Sequence, residues 1–282
     1  MSERVKGGTL VLTYAGDELR LYLRLVWLAV RAQAQYKASV VIDVLTYFAV
    51  TSLEFAAVLI VFGPFPTLAG WHVGEVALLY GLTSICFGAA ELFGAGIDYF
   101  PDTIRKGEFD RVLLRPAGVL LQVVTTDFKL RRLGRISEGI AIVLLALRLL
   151  GGLRWTPLKL LVLPVGIASG AVIFIAAMLL GATVSFWTVQ ATELTNILTY
   201  GGREMLSWPL QIYNASLRRF FLFVVPLGFG TYLPTCFLLD RPLPVGLPGA
   251  TAFAAPLVAV LFALLARAVW GFGVRHYQSS GS

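Results

Sequence analysis

The sequence predicts an all-α integral membrane protein with six transmembrane helices. Of its 282 residues, 57% are hydrophobic and only 14% are charged, whereas soluble domains carry about 25% charged residues. The mean hydropathy is +0.79, and the apolar residues form continuous runs with no alternation of period two. Such runs are typical of spanning helices rather than barrel strands. This composition argues against a soluble enzyme, a disordered chain and a nucleic-acid-binding domain.

The first 38 residues are predicted to be cytoplasmic and to hold an amphipathic helix on the inner membrane surface. One helical face of residues 17–37 is polar and lies opposite a surface of Leu, Val and Trp, as in helices that lie in the membrane interface. The polar side chains are Asp17, Arg20, Arg24, Arg31 and Gln35. The alternative is that this segment simply extends the first span.

Six apolar segments follow and define one permease domain over residues 39–272. A helix needs about 20 apolar residues to cross about 30 Å of hydrocarbon. The segments that meet or approach this length are 39–63, 73–97, 134–152, 157–187, 216–238 and 250–272. The third carries Arg135 and Glu138 near its start.

The distribution of basic residues predicts the orientation. Nineteen of the 23 Lys and Arg residues lie in the N-terminal segment, in the connections after the second and fourth spans, or near the C-terminus. The positive-inside rule therefore places both termini in the cytoplasm, including a tail over 273–282. The longest cytoplasmic connector is 99–133. Residues 189–213 form either a cytoplasmic helix or a re-entrant one.

The sequence lacks the motifs of an autonomous pump or enzyme. No Gly-Lys dipeptide occurs, so the phosphate-binding P-loop is absent and we expect no ATP hydrolysis by this chain alone. His72 and His276 are predicted on opposite sides of the membrane, and no Cys, His and carboxylate group has metal-ligand spacing. We predict no catalytic residue, no metal site and no cofactor on this chain. Cys86 and Cys236 lie in apolar runs, which favours buried free thiols over a disulfide.

Three carboxylates, Asp43, Glu54 and Glu91, fall inside the predicted spans. A charge at this depth is costly unless it is paired or hydrated. One interpretation is that they line a substrate path or a proton relay, with Trp187 as a further substrate-path candidate. The alternative is structural: Asp43 pairs with an arginine at the interface, Glu54 faces a helix interface and Glu91 anchors the inner end of the second span.

Two segments resemble a known family. Residues 104–116 are similar to the signature that follows the second span in type-2 ATP-binding-cassette (ABC) permeases of the six-span, antibiotic and multidrug exporter-like branch. The matching residues are Gly107, Asp110 and Leu113-Leu114-Arg115-Pro116. The second resemblance covers 185–242. It includes Trp208-Pro209, Leu217-Arg218-Arg219, Val225-Pro226, Leu233-Pro234 and Asp240-Arg241-Pro242. The sequence departs from the family at Trp208, where Tyr or Phe is usual, and at Asn214, where Pro is frequent.

The resemblance implies a permease subunit in the bacterial inner membrane that pairs with a second protomer, identical or different, and binds two copies of a separate ATPase. ATP and magnesium would then be bound by that partner. The connector would act as a lever between the ATPase and the spans. Its candidate coupling residues are Arg105, Lys106, Gly107, Asp110, Arg111, Arg115 and Pro116.

The residue types in the connector are compatible with a rigid element that could transmit movement. We expect Gly107 to close a turn, Asp110 to cap a short helix and Pro116 to start the next element. The basic residues of the connector either pair with acids on the ATPase or only hold the loop against lipid headgroups.

The predicted translocation path runs between the first, second and fifth spans of two protomers. Because it carries few charges, the substrate is expected to be amphipathic or hydrophobic. Two rival hypotheses remain at the level of the sequence. One is a stand-alone proton-coupled transporter that uses the intramembrane carboxylates, and the other is a membrane scaffold or assembly factor.

Overall fold

The computed structural model describes residues 3–188 and 191–277, which are mostly helical. The longer helices are α1 (Glu3–Ala34), α2 (Lys37–Phe62), α3 (Val73–Asp98), α7 (Leu133–Leu149), α8 (Pro157–Thr183) and α14 (Ala255–His276). Between α3 and α7 lie α4 (Phe100–Arg105), α5 (Phe109–Leu113), α6 (Val119–Thr125) and a 3-10 turn at Leu130–Arg132. After α8 come a 3-10 turn (Val184–Phe186), α9 (Ala191–Asn196), a π turn (Ile197–Gly201), α10 (Gly202–Leu206) and a 3-10 turn (Leu210–Ile212). These lead to α11 (Ala215–Arg219), a π turn (Phe220–Val224), α12 (Leu227–Gly230), α13 (Tyr232–Leu238) and 3-10 turns at Pro244–Gly246 and Gly249–Phe253.

The two ends of α3 define the two ends of the bundle. A small antiparallel hairpin, β1 (Thr67–Leu68) and β2 (Trp71–His72), leads into α3 and pairs Thr67 with His72. We call this end the hairpin end. The helices α4 to α6 follow the other end of α3, which we call the connector end.

Within residues 3–188 and 191–277, four helices are long and apolar enough to cross a membrane. They are α2, α3 continued through α4, α8 continued through its 3-10 turn, and α14. A fifth is added if the bent pair formed by 215–224 and 227–238 counts as one span. The predicted third span is shorter than expected, since α7 ends at Leu149 after 17 residues. The chain is thus an all-α multi-pass membrane protein, and the number six stays a prediction.

Helix α3 forms the centre of the bundle and packs against α7 and α8. Most of its residues are buried, whereas α2 and α14 expose long rows of apolar side chains. The core includes Cys86 and Cys236, which are both buried and free. The prediction of free thiols is confirmed.

The segment over 191–212 lies beside α3 and runs from the connector end towards the hairpin end. At its start, Thr195 is so close to Gly181 that a Cβ on that glycine would lie 2.8 Å from the Thr195 Cα. Further along, the Thr83 hydroxyl donates a hydrogen bond to the Leu206 carbonyl at 3.4 Å. The described part of this predicted cytoplasmic or re-entrant segment is therefore packed along the whole bundle. Residues 189–190 lie outside the described ranges.

The predicted fifth span over 216–238 is a broken helix rather than a straight one. The two halves meet at a bend of 72°, because Pro226 cannot donate the hydrogen bond that would continue the helix. The first half enters the bundle from the hairpin end, and the bend brings Phe221 of the first half and Leu227 of the second half close to Gly202. The second half returns to the hairpin end, where the Tyr232 ring lies 5.6 Å from the Trp71 ring. The pair has the geometry of a re-entrant loop.

Two glycines allow this bent pair to pack on α8. A Cβ on Gly230 would lie 2.8 Å from the backbone nitrogen of Gly170, and a Cβ on Gly170 would lie 3.1 Å from the Gly230 carbonyl oxygen. Since any side chain here would collide with backbone, the two segments contact each other directly.

The N-terminal helix is separate from the first span. Helix α1 ends at Ala34, and a turn at residues 35–36 precedes α2. The Gln33 side chain fixes this corner, because its amide donates to the Phe128 carbonyl at 2.8 Å and accepts from the Leu130 amide at 2.9 Å. The interface position of α1 stays a prediction, and the side chain of Asp17 lies outside the described part.

The end of the last helix also differs slightly from expectation. Helix α14 continues to His276, four residues past the predicted boundary at 272. Half of the predicted tail over 273–282, residues 278–282, lies outside the described ranges.

Candidate functional site

The connector presents a compact helical corner at residues 100–116. Gly107 separates α4 from α5 and has a φ of +68°, a conformation that glycine adopts without strain. Its amide donates to the Ile104 carbonyl, and the Glu108 amide donates to the Thr103 carbonyl, both at 3.0 Å. The predicted turn at Gly107 is confirmed.

Two other local expectations for this corner are wrong. Asp110 does not cap α5, since the helix begins one residue earlier and its N-cap residue is Glu108. Pro116 does not start the next helix, because α6 begins at Val119 after the N-cap Gly118. Instead, the Gln122 amide of α6 reaches back to the carbonyls of Val112 and Ala117 at 3.1 and 2.9 Å, which fixes the loop that contains Pro116.

The outer face of this corner combines exposed leucine with basic side chains. Leu114 is 85% exposed and Leu113 is 42% exposed, although both lie away from the spanning helices. The basic side chains around them are exposed too: Arg105, Lys106, Arg111 and Arg115. Arg105 pairs with Asp102 within α4 at 2.8 Å. We call these six residues the docking face.

The inner face of the same corner is locked into the bundle by five aromatic rings. Phe109 is fully buried, and its ring centroid lies 5.5 Å from Phe186 and 4.8 Å from Tyr277. Phe100 lies 5.2 Å from Phe109 and 4.6 Å from Trp270. This aromatic cluster joins the connector to the ends of α8 and α14. Edge-to-face rings of this kind pack with well-defined geometry.

A second constellation lies inside the bundle, where acidic and basic side chains meet. Arg203 of α10 forms an ion pair with Glu54 of α2 at 2.7 Å, and its guanidinium donates to the Tyr80 hydroxyl at 2.8 Å. Arg135 of α7 pairs with the same Glu54 at 3.3 Å and with Glu91 of α3 at 3.0 Å. Four helices are thereby joined through two guanidinium groups.

Glu91 has further partners towards the connector end. Tyr47 donates its hydroxyl to Glu91 at 3.0 Å, and Tyr200 does so at 3.4 Å. The Tyr200 hydroxyl also lies 3.5 Å from Asp98, so the two carboxylates share a face of α3, as their seven-residue spacing predicts. Arg132 donates to the backbone carbonyl of Glu91 at 2.7 Å. We call Glu54, Glu91, Arg132, Arg135 and Arg203 the ion-pair cluster.

The structure does not bring all four substrate-path candidates together. Glu54 and Glu91 share Arg135, and the Glu54 side chain is 40% exposed. Asp43 is exposed near the connector, where it lines a cavity of about 380 Å³ with Gln33. Trp187 lies at the connector end of α8 and stacks on Phe272 with ring centroids 6.0 Å apart.

Arg203 is one of the residues that reasoning from the sequence placed wrongly. It was expected in a cytoplasmic connection, but it is only 4% exposed and sits in the bundle beside Glu138, which is 1% exposed. A signal existed, since a carboxylate inside a span requires a partner and arginine is a frequent one. Glu54 therefore implied a basic residue at its own depth.

Arg241 makes a group of contacts at the hairpin end. Arg241 binds the Glu75 carboxylate, with its Nε 2.6 Å from Oε1, and donates to the Gly70 carbonyl at 2.6 Å. Its guanidinium also lies 4.7 Å from the Trp71 ring centroid. This contact ties the chain after the bent pair to the start of α3.

Neither constellation has the chemistry of a metal centre. Within residues 3–188 and 191–277, no group of three or more His, Cys, Asp or Glu side chains is placed to hold a metal ion. The connector instead forms a charged corner, whose docking face is exposed and whose aromatic cluster packs on the bundle. The bundle itself is held together by internal ion pairs.

Comparison with known proteins identifies the family. The sequence model of the ABC-2 family transporter proteins matches residues 48–281, which includes the connector, the ion-pair cluster and the bent pair. No curated protein and no solved structure is significantly similar to the chain. Because the family model matches most of the chain, the chain belongs to the ABC-2 transporter family and is a multi-pass membrane permease component of an ABC transporter.

Proposed function

We propose that this permease is the membrane subunit of an ATP-driven exporter and that a separate ATPase subunit binds its docking face. The observation that carries the proposal is Leu114, which is 85% exposed outside the apolar bundle. An exposed apolar side chain with arginines around it is typical of the centre and rim of a protein interface. ATP and magnesium are then bound by the partner.

The aromatic cluster supports a mechanical role for the same corner. A force on the docking face reaches Phe109, whose ring packs on Phe186 and Tyr277. Closely packed rings transmit displacement because the interior is dense and cannot be compressed. The movement therefore reaches α8 and α14 as well as the two helices adjacent in sequence, α3 and α7.

The remaining parts of the proposal rest on charge and exposure. The excess of basic residues in α1 and in the connector favours the connector end as the cytoplasmic one, in the inner membrane of a bacterium. The outward row of α2, which includes Leu53 and Ile60 with exposures of 72% and 74%, is suited to a second permease protomer. Glu54 lies on that helix, and we propose that the two copies enclose an amphipathic or hydrophobic substrate.

The rival hypothesis of a proton-coupled transporter gains no support from the carboxylates. A proton relay needs a carboxylate that can exchange its proton, whereas Glu54 and Glu91 are each held by arginine at 2.7 to 3.3 Å.

The docking face is tested with the ATPase that co-purifies with the tagged wild-type chain. Leu114→Asp and Arg115→Ala should each lower the amount of bound ATPase by about tenfold, the size expected for losing an interface anchor. Arg154→Ala is the control, because Arg154 is equally exposed but lies in the turn between α7 and α8. The measurement is the molar ratio of the two subunits after purification in detergent.

The aromatic cluster is tested with the same complex. Phe109→Ala should retain the ATPase but abolish the ATP-dependent change in mobility of a spin label at residue 264, an exposed position on α14. Transport by the chain in a proton gradient without any ATPase, or unchanged subunit ratios in both docking variants, would refute the proposal.

A further inference from the structure

A large groove lies apart from the docking face and the ion-pair cluster. It has a volume of about 630 Å³ and is enclosed by α1, α6 and α14 at the connector end. This size falls within the range of about 300–1,000 Å³ that is typical of ligand sites. The permease function proposed above uses one of its wall residues, Trp270 of the aromatic cluster, but assigns no role to the groove itself.

The walls of the groove are mainly apolar. Helix α6 contributes Leu120 and Leu121, and α14 contributes Trp270 and the open backbone at Gly271. Tyr22 of α1 also lines the groove, and burial raises the pKa of its hydroxyl further above neutrality. Such a surface suits a hydrocarbon chain rather than a polar solute.

The groove is continuous with the surface that contacts lipid. Its α14 wall belongs to a helix that is long and apolar enough to span the membrane. The same helix exposes an apolar row just before the groove, which includes Leu261, Leu264 and Leu265. A lipid chain can therefore pass from the bilayer into the groove without crossing water.

Two oppositely charged side chains line the groove. Arg267 of α14 and Glu18 of α1 both line it and are exposed. Neither forms an ion pair with another residue within the part of the chain that the structure describes. A guanidinium binds phosphate well, and a carboxylate binds an ammonium group. The pair is complementary to a headgroup that carries both charges.

From this arrangement we infer that the groove is a binding site for a phospholipid with a zwitterionic aminophosphate headgroup. The phosphate contacts Arg267, the ammonium group contacts Glu18, and one acyl chain lies against Leu120, Leu121 and Trp270. The bound lipid fills the space between the N-terminal helix and the last helix.

Gly271 provides a precise test, because a side chain added there enters the groove without touching protein. A Cβ on Gly271 meets no heavy atom within 4 Å. Gly271→Leu should therefore fold normally and reduce the bound lipid at least fivefold. Gly249→Leu is the matched control, since Gly249 has the same free space but lies outside the groove, in the chain that precedes α14.

The probes are nanodiscs that contain phosphatidylethanolamine or phosphatidylglycerol, and the measurement is lipid retained per chain by native mass spectrometry. The wild-type chain should prefer phosphatidylethanolamine. Arg267→Gln should weaken retention of both lipids by about tenfold, as expected for a lost charge-assisted bond, and Glu18→Gln should remove the preference. Equal retention of the two lipids by the wild-type chain, or full retention by Gly271→Leu, would overturn the inference.

Discussion

Arg203 shows how a single side chain organises the bundle. Its guanidinium contacts Glu54 of α2 and Tyr80 of α3, while its backbone belongs to α10. A buried charge costs several kcal/mol unless its partners replace water. Because Arg203 has such partners, the segment that contains it is held at one depth against two other helices.

The first prediction concerns the loss of that arginine. Arg203→Ala leaves the Tyr80 hydroxyl and part of the Glu54 charge without a partner. We expect the free energy of unfolding to fall by about 3 kcal/mol. This is the lower end of the range for breaking a buried ion pair, because Glu54 is partly exposed. Arg219→Ala is the control, since Arg219 is exposed. Thermal unfolding in detergent measures both, and equal midpoints for the two variants would contradict the role of Arg203.

At the scale of elements, the bent pair depends on direct backbone contact with α8. Gly230 and Gly170 face each other with no room for a side chain. The bend at Pro226 and this contact together place the tip of the pair next to α10. The position of the tip is therefore fixed by one proline and two glycines.

The second prediction adds a single carbon atom at this contact. Gly230→Ala should destabilise the protein by about 1–3 kcal/mol, the usual cost of overpacking. Gly249→Ala makes the same chemical change where nothing lies within 4 Å, and its unfolding midpoint should match the wild type. If both variants unfold at the same temperature, the two segments do not pack as described.

Elements with continuous apolar runs could be predicted from the sequence to within a few residues. Such elements are the helices α2, α3, α8 and α14. The length of a continuous apolar run indicates the length of the spanning helix directly. The region over 191–238 could not be predicted in this way. Arg203 lowers the hydropathy of the segment that runs beside α3, and the bent pair is apolar enough to resemble one span. Hydropathy does not distinguish a helix that crosses the bundle from one that turns back.

The candidate site was predictable to a similar extent. The turn at Gly107 follows from local backbone chemistry, which depends on the residue itself. The aromatic cluster does not, because Phe109, Phe186 and Tyr277 come from distant parts of the chain and meet only after the helices pack. Long-range contacts of this kind leave no periodic signal in a single sequence.

At the scale of the whole molecule, α2 is the least buried of the four candidate spans in the described part of the chain. Its outward residues include Leu53 and Ile60, which are strongly exposed, and Glu54 beside its buried face is 40% exposed. A purely apolar surface would be satisfied by lipid alone, but a partly exposed carboxylate at its edge would not. This combination favours a protein partner.

The third prediction tests that partner as a second protomer. Leu53→Cys should give disulfide-linked dimers in membranes after mild oxidation, because the two α2 faces meet. Leu257→Cys on α14 is the control, since it is also exposed but lies on a helix with an apolar face. The native thiols at Cys86 and Cys236 are buried and should not react. Cross-linking at residue 257 alone, detected by electrophoresis, would exclude the α2 interface.

The half-exposed Glu54 has a consequence for the cell as well as for the complex. An orphan copy, made in excess of its partners, would hold this carboxylate against hydrocarbon at the surface of α2. An unassembled subunit would then be less stable in the bilayer than an assembled one, so this single side chain would favour assembly of the transporter.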